Sequence, residues 1–337
     1  MRGRRERTSA MRLVSFKVPS ILGPQLRVGA VDAAGRIVDL AAALRYKLLD
    51  EGLTSEAALR VSSALIPSDM VGVIEGGGRS LDAARETLAW VSRHDPAGAS
   101  VIVTPGAEGV RMLAPIPRPP MLRDFMGFEQ HLLNIFPKLG REIPPEWYRL
   151  PVYYKGNPGS VATHEDDVPI PSYGGEALDI EFELAFVIGR RGADIPESRA
   201  REHIFGLMIY NDFSERTIQA REMSVGLGPA KGKDFRRAHV LGPTLVTLDE
   251  IPDVYDLRMR ARVNGETWCD SSSKTIHWTF EQMIAHASRD EELRPGEVLG
   301  SGTVGGGSGA ERGTLLRRGD VVELEVDRLG TLRNRVV

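Results

Sequence analysis

The run from Leu178 to Gly189 constrains this chain more than any other stretch. From Leu184 to Ile188 it is wholly apolar and rich in aromatic and β-branched residues. Such a run reads as a strand over Leu178–Ile188, buried on both faces. Yet it opens with two carboxylates, Glu181 and Glu183. Strand side chains alternate, so these two share one face while Ile180, Phe182 and Leu184 take the other. Two buried neighbouring carboxylates cost several kcal/mol, about the desolvation penalty of an ion pair, unless something compensates. A hard divalent cation does so directly, because it prefers carboxylate oxygen. Taken alone, the alternation favours a half-exposed strand with both glutamates in water.

A second run shifts that balance. Phe205 to Tyr210 is apolar and ends abruptly in Asn211 and Asp212. An acid at a strand end is delivered to a cleft by a rigid element. The same pair also suits a helix N-cap. A helix over Glu215–Met223 follows, with Arg216 and Gln219 on one face at i,i+3 spacing. The glycine-rich stretch Leu227–Phe235 then presents Lys231 and Lys233 where the backbone bends closely. Upstream, Asp124 precedes His131 by two helical turns, which lets both face the same way.

The rest of the chain reads as organisation around these residues. Residues 1–10 are expected to be a disordered lead, basic but without the apolar run of a signal peptide. Residues 11–110 read as a small mixed domain. Its strands are Arg12–Val18, Leu26–Val31 and Arg36–Leu40, and its helices Ala41–Asp50, Ser55–Leu65 and Leu81–His94, the last capped by Ser80. Four prolines between Pro115 and Pro120 make 111–120 a linker, expected to run extended on the surface. Residues 121–337 are mostly β, with a hairpin at Asn264-Gly265 and helices over Glu197–Phe205 and Thr279–Ser288. No βαβ alternation appears, which argues against a doubly wound nucleotide fold. Gly76-Gly77-Gly78 lacks a following Lys-Ser/Thr and is no phosphate loop. The run from Gly305 to Ala310 fits G-x-G-x-x-A only formally and reads as a flexible lid loop.

A net charge of −3 gives no general attraction to nucleic acid or acidic membranes. No apolar stretch approaches a membrane span. The single cysteine, Cys269, excludes an internal disulfide and a multi-thiolate site, fits a cytoplasmic setting, and reads as a strand-end filler.

Together these pieces resemble the fumarylacetoacetate hydrolase family, from about Asp124 to Val337. The resemblance rests on Asp124 and His131, the Leu150-Pro151-Val152 segment ending at Tyr154, and Glu181-x-Glu183. It continues through Asn211-Asp212 with Ser214, Arg216 and Gln219, Gly232-Lys233, Gly302-Thr303 and the tail from Gly319 to Arg335. It implies an α+β fold, mostly β: a mixed β-roll or β-sandwich catalytic domain behind a smaller mixed N-terminal domain, usually paired as a homodimer. It implies Mg²⁺, with Mn²⁺ or Ca²⁺ as substitutes, on Glu181, Glu183, Asp212 and Asp124. The general base falls on His131, with Glu311 as the glutamate that orients it. Substrate oxygens fall to Tyr154, Arg216, Gln219, Lys233 and Thr303. Two departures stand out. Met126 replaces a tyrosine near the substrate, and Asn134 stands where smaller members place the histidine's glutamate partner.

The implied reaction is hydrolysis of a carbon–carbon bond in an acylpyruvate or related β-diketo acid. The metal would act as a Lewis acid toward the departing enolate, and His131 would activate water. Lys233 and Gln219 would stabilise oxyanions, and Arg216 would grip a carboxylate. The alternative is a decarboxylase, isomerase or tautomerase of an oxo acid at the same site. A non-catalytic binding protein would have no need of Glu181, Glu183, Asp212, His131 and Lys233 together.

Overall fold

The computed structural model describes residues 11–94 and 101–337, so the expected lead at 1–10 lies outside the described residues. The N-terminal strands are β1 (Arg12–Val18), β2 (Gln25–Val31) and β3 (Ile37–Asp39). Asp39 then caps α1 (Leu40–Asp50) by accepting from the Ala42 amide, and Thr54 caps α2 (Ser55–Leu65). A short α3 (Met70–Glu75), capped by Asp69, was not legible in the sequence. The next helix, α4 (Gly77–His94), begins earlier than expected. Ser80 is buried inside it and is not its cap.

The catalytic half opens with β4 (Leu122–Phe125), α5 (Glu129–Ile135) and β5 (Tyr153–Gly156). Next come β6 (Phe182–Ile188) and β7 (Ile204–Asp212). They are followed by α6 (Arg216–Ser224), β8 (His239–Thr247), β9 (Arg258–Val263) and β10 (Glu266–Ser272). The chain ends with α7 (Phe280–Ala287), β11 (Val298–Gly300), α8 (Gly309–Arg312), β12 (Val321–Val326) and β13 (Gly330–Val336). The architecture is α+β, as the sequence implies.

Most of these strands belong to one twelve-stranded sheet. Its path runs Ile102–Val103, β3, β2, β1, β8, β7, β6, β11, β4, β5. A second, five-stranded sheet runs β10, β9, β12, β13 and Asp167–Val168. The Pro-rich segment does not separate two sheets. Strand β1 pairs directly with β8, Leu13 opposite Leu245, so the N-terminal strands extend the catalytic sheet. Only part of the segment runs on the surface: Arg118 and Pro120 are exposed, whereas Pro115, Ile116 and Pro119 are buried and Ser15 donates to the Pro115 carbonyl. A proline needs no backbone donor partner, so it can line a buried sheet edge at little cost.

The alternation in β6 decides where the cores lie. Phe182, Leu184, Phe186 and Ile188 join one core with β9, β12, β13 and α7. Ala185 and Val187 join a second core formed with α1 to α4. Apart from Glu183 the strand is therefore apolar, because both faces are covered. The expected single strand over 178–188 is interrupted, however. Leu178–Asp179 pairs with Ser214–Glu215, and β6 starts only at Phe182. The expected helix over 197–205 also stops early: its α-turn covers Glu197–Ala200, and Phe205 lies within β7. Cys269 sits inside β10, buried, instead of at a strand end. Among the described residues, no single helix is long and apolar enough to cross a membrane.

Candidate metal centre and active site

Register places the acids. Glu183 lies opposite Tyr210 on β7, Ala185 opposite Gly300 on β11, and Gly300 beside Asp124 on β4. Cross-strand partners share a face. Glu183, Gly300 and Asp124 thus stand on the face whose other end packs against the N-terminal helices, and Asp212 ends the same row on β7. Glu181 reaches the group from the break before β6, where its amide donates to Asn211 Oδ1 at 3.0 Å. Asp124, Glu181, Glu183 and Asp212 are all buried, and each offers an oxygen within 4.8 Å of the others. Asp124 and His131 do not share a helix, as their spacing suggests. Asp124 is on β4 and His131 on α5.

This geometry fits a divalent cation. Asp124 Oδ1 is buried and accepts no hydrogen bond. A Cβ at Gly300 would meet that oxygen at 2.4 Å and Glu183 Oε2 at 2.9 Å, so glycine keeps open the space between them. Burial and then the charge of Glu183 push the Asp124 carboxyl well above its ordinary range. Burial likewise raises Glu183, which accepts from the Gly302 amide at 2.9 Å and from Thr303 Oγ1 at 3.4 Å. The other two acids are already paired. Burial would raise Glu181, but Lys233 and Arg216 outweigh it and bring it down to about 2. For Asp212 burial is again overcome, by Lys233 and by the bond from His239, and the carboxyl lies below its ordinary range. The Lys233 ammonium contacts both Glu181 Oε2 and Asp212 Oδ2. Each carboxylate oxygen has two lone pairs, so these contacts leave capacity for an ion.

The other expected residues gather around the same cavity of about 720 Å³. Its lining includes His131, Tyr154, Arg216, Gln219, Lys233 and Thr303. His131 Nδ1 lies 2.7 Å from Glu311 Oε1, which brings the proposed partner to the histidine across 180 residues of sequence. Burial works to raise Glu311, but the bond with His131 and then the Asn134 amide lower it. Asn134, which looked like a departure, holds the far oxygen of that glutamate. The Gly305–Ala310 run is tied down: the Gly306 amide donates to Glu311, and the Gly309 and Ala310 amides donate to Asp179. Tyr154 donates to Asp212 Oδ2 at 2.8 Å. Arg216 is largely committed to protein partners. Its Nε and Nη2 reach Asp179 at 2.8 and 2.7 Å, and Nη1 serves Glu181 and Gln219.

Two supporting residues escaped the sequence reading. Asp179 lies just before the glutamates, in the short Leu178–Asp179 strand, and faces Arg216 and the turn before Glu311. His239 is fully buried, with Nδ1 3.0 Å from Asp212 Oδ1 and Nε2 2.9 Å from Asp234 Oδ1. Burial would lower this imidazole, but the bonds to the two carboxylates raise it to about 9. Only the pairing of β7 with β8, Asp212 opposite His239, brings them together.

Comparison with known proteins agrees with this architecture. Human oxaloacetate tautomerase FAHD2A, mitochondrial, is 30% identical over 329 residues, covering 97% of this chain and 92% of that protein. A fumarylacetoacetate hydrolase from the psychrophile Exiguobacterium antarcticum has the same fold, with a TM-score of 0.68 at 23% identity, over 97% of this chain and 99% of that one. So has fumarylpyruvate hydrolase from Pseudomonas aeruginosa, solved with Mn²⁺ and pyruvate. Its TM-score is 0.57 at 24% identity, over 69% of this chain and 93% of that one. The C-terminal domain of fumarylacetoacetate (FAA) hydrolase matches residues 121–337. The chain therefore belongs to the fumarylacetoacetate hydrolase family, whose members include hydrolases, isomerases and tautomerases.

Proposed function

We propose that this chain is a divalent-metal-dependent enzyme that interconverts the keto and enol forms of a 2-oxo acid of the oxaloacetate type. The observation that carries the reading is a cavity lined by Asp124, Glu181, Glu183, His131 and Lys233, with Asp212 completing the buried acid cluster and Glu311 behind His131. Asp124, Glu181, Glu183 and Asp212 would hold the ion, which supplies Lewis acidity toward the oxygens of a bound 2-oxo acid. His131 takes the proton from the carbon next to the keto group and delivers it to the enolate oxygen, which gives the enol; the reverse transfer, from O–H to carbon, restores the ketone, and Glu311 fixes the ring for both. An ammonium has three donors. Two of those on Lys233 face Glu181 and Asp212, which leaves one for the developing oxyanion. Tyr154 and Thr303 hold Asp212 and Glu183 in place. Near full-length similarity to an oxaloacetate tautomerase favours proton transfer over bond cleavage.

The second reading is hydrolysis of a carbon–carbon bond in an acylpyruvate. A histidine buttressed by a carboxylate is also what water activation requires, so the His131–Glu311 pair favours it. Mg²⁺ as the resident ion, a homodimer paired through the larger domain and a cytoplasmic setting belong to the same proposal. The test is a Mg²⁺- or Mn²⁺-supplemented assay that follows enol decay of oxaloacetate, its decarboxylation and cleavage of acylpyruvates separately. Accelerated ketonisation without cleavage is the expected result. Cleavage of acylpyruvates with no effect on enol decay would overturn the first reading in favour of the second.

A further inference from the structure

Asp179 stands outside both the four-acid cluster and the cavity lining. It is nevertheless fully buried and accepts four hydrogen bonds. Arg216 gives two of them to Oδ2, from Nε at 2.8 Å and from Nη2 at 2.7 Å. The Ala310 amide reaches the same oxygen at 3.0 Å, and the Gly309 amide reaches Oδ1 at 2.7 Å. These donors lead to different parts of the site. Arg216 also contacts Glu181 of the acid cluster through Nη1. Gly309 and Ala310 open α8, which carries Glu311, the partner of His131. Neutralising a buried guanidinium would need only the Arg216 side of this arrangement. The other side is built just as closely. A Cβ at Gly309 would meet Asp179 Oδ1 at 2.5 Å, so glycine lets the turn approach the carboxylate. The Phe182 amide donates to the Gly307 carbonyl at 3.1 Å and fixes the entrance of that turn, while Asp179 holds the two residues that precede Glu311.

We infer that Asp179 is a positioning residue for the base: it keeps Glu311, and through it His131, in register with Glu181 of the acid cluster. The inference rests on the proposed roles of His131 and the four acids, and adds a residue that serves both without touching substrate. The task requires a carboxylate. An asparagine has one acceptor oxygen, and its NH₂ group only donates. That NH₂ must face either the Gly309 amide or Arg216 and Ala310, so one side loses its acceptor in a buried place.

The test compares Asp179→Asn, Glu311→Gln and the double variant at saturating Mn²⁺, with ketonisation of oxaloacetate as the assay. Asp179→Asn should lower kcat by about 10- to 100-fold, the usual scale for losing the outer partner of an active-site group, and leave KM nearly unchanged. Because Asp179 acts through Glu311, the double variant should be no slower than the slower single variant. Losses that multiply would assign Asp179 to another part of the site and overturn the inference, as would an unchanged kcat. Amide hydrogen exchange adds a readout that needs no turnover. The Gly309 and Ala310 amides should exchange faster in Asp179→Asn. They should also do so in Arg216→Lys, which keeps the charge but lacks the fork that grips the carboxylate through two bonds. Arg216→Lys decides the matter if Asp179→Asn does not fold, and wild-type exchange at both amides in that variant would overturn the inference. Because exchange is read apart from turnover, the two proposals fail separately. Faster exchange in a protein that leaves oxaloacetate untouched sinks the reaction and keeps the hold of Asp179 on the turn. Ketonisation that responds to neither variant, with exchange unchanged, does the reverse.

Discussion

Gly300→Ala is the most informative single change, because one methyl group meets the acid cluster and the sheet at once. Gly300 is on β11 between Ala185 and Asp124. An added Cβ would lie 2.4 Å from Asp124 Oδ1, 2.8 Å from Tyr210 Cε1 and 2.9 Å from Glu183 Oε2. Contacts under 3.0 Å are not tolerated, so the Asp124 oxygen must retreat from 2.4 Å to beyond that limit. Tyr210 is fully buried and cannot yield. Overpacking of this kind costs about 1–3 kcal/mol. At roughly 2 °C per kcal/mol for a chain of this size, Tm should drop by about 2–6 °C. The larger effect falls on the ion. Even residues that only orient metal ligands cost about 10- to 100-fold in affinity, and here two ligands are displaced directly. Mn²⁺ affinity should therefore fall at least about tenfold. Wild-type protein should gain about 2.7 kcal/mol of stability at a hundredfold excess of Mn²⁺ over Kd, and the variant, at the same concentration and tenfold weaker binding, should keep only about 1.4 kcal/mol of it or less. Calorimetric Mn²⁺ titration and thermal unfolding, each with a chelator control, read both numbers. Gly78→Ala in α4 is the comparison, since a Cβ there meets nothing within 4 Å. A Gly300→Ala protein with wild-type Mn²⁺ affinity and Tm would refute the placement of Asp124 and Glu183 at one ion.

Two further outcomes follow from the same geometry. His131→Ala should lower kcat by roughly a hundredfold or more while Mn²⁺ binding persists, and Glu311→Gln should lower it less; unchanged kcat in His131→Ala would remove it as the base. Glu222 accepts the amides of Ala230, Lys231 and Gly232 at 2.9, 2.7 and 3.0 Å, pinning the loop that carries Lys233. Its slight burial works to raise its pKa, but these three bonds outweigh it and lower the group. A lowered carboxylate stabilises the folded loop above its ordinary value near 4.5, and that contribution is lost as pH falls through the folded value. Hydrogen-exchange protection of residues 230–232, corrected for intrinsic rates, should fall in that acidic window, and Glu222→Gln should lose it at neutral pH. Protection that is indifferent to both would show that the loop is held otherwise.

The sequence carried the acids of the candidate site because each stands against a local rule. Glu181 and Glu183 interrupt an apolar strand, and Asp212 ends one. Such conflicts between residue type and burial are visible without a structure. What escaped depends on pairing at a distance. His239 reads as an ordinary residue in a strand until β7 and β8 are laid side by side. Asn134 reads as a missing acid until α8 brings Glu311 to both it and His131. Boundaries failed where tertiary contacts override local pattern. Ser80 has the composition of a cap but lies buried within α4, and Pro115 and Pro119 have the composition of a surface linker but are buried.

That packing bears on what the N-terminal residues do for the site. Glu183, Ala185 and Val187 share one face of β6, and Met208, Tyr210 and Asp212 share the matching face of β7. The inner members of both rows, Ala185, Val187, Met208 and Tyr210, are core residues packed with α1 to α4, whereas the outer members, Glu183 and Asp212, belong to the acid cluster proposed to hold the ion. Tyr210 stands at the border. Its ring belongs to the N-terminal core, and its hydroxyl lies 2.8 Å from His239 Nδ1, which in turn reaches Asp212. The helices of the N-terminal half thus cover the inner end of the ligand row. Without them the face that carries Glu183 and Asp212 would open to water. The penalty that makes four clustered carboxylates favour a cation depends on keeping that face dry. In this chain the N-terminal half supports the chemistry by excluding solvent from the strands that bear the acids, without contributing a ligand of its own.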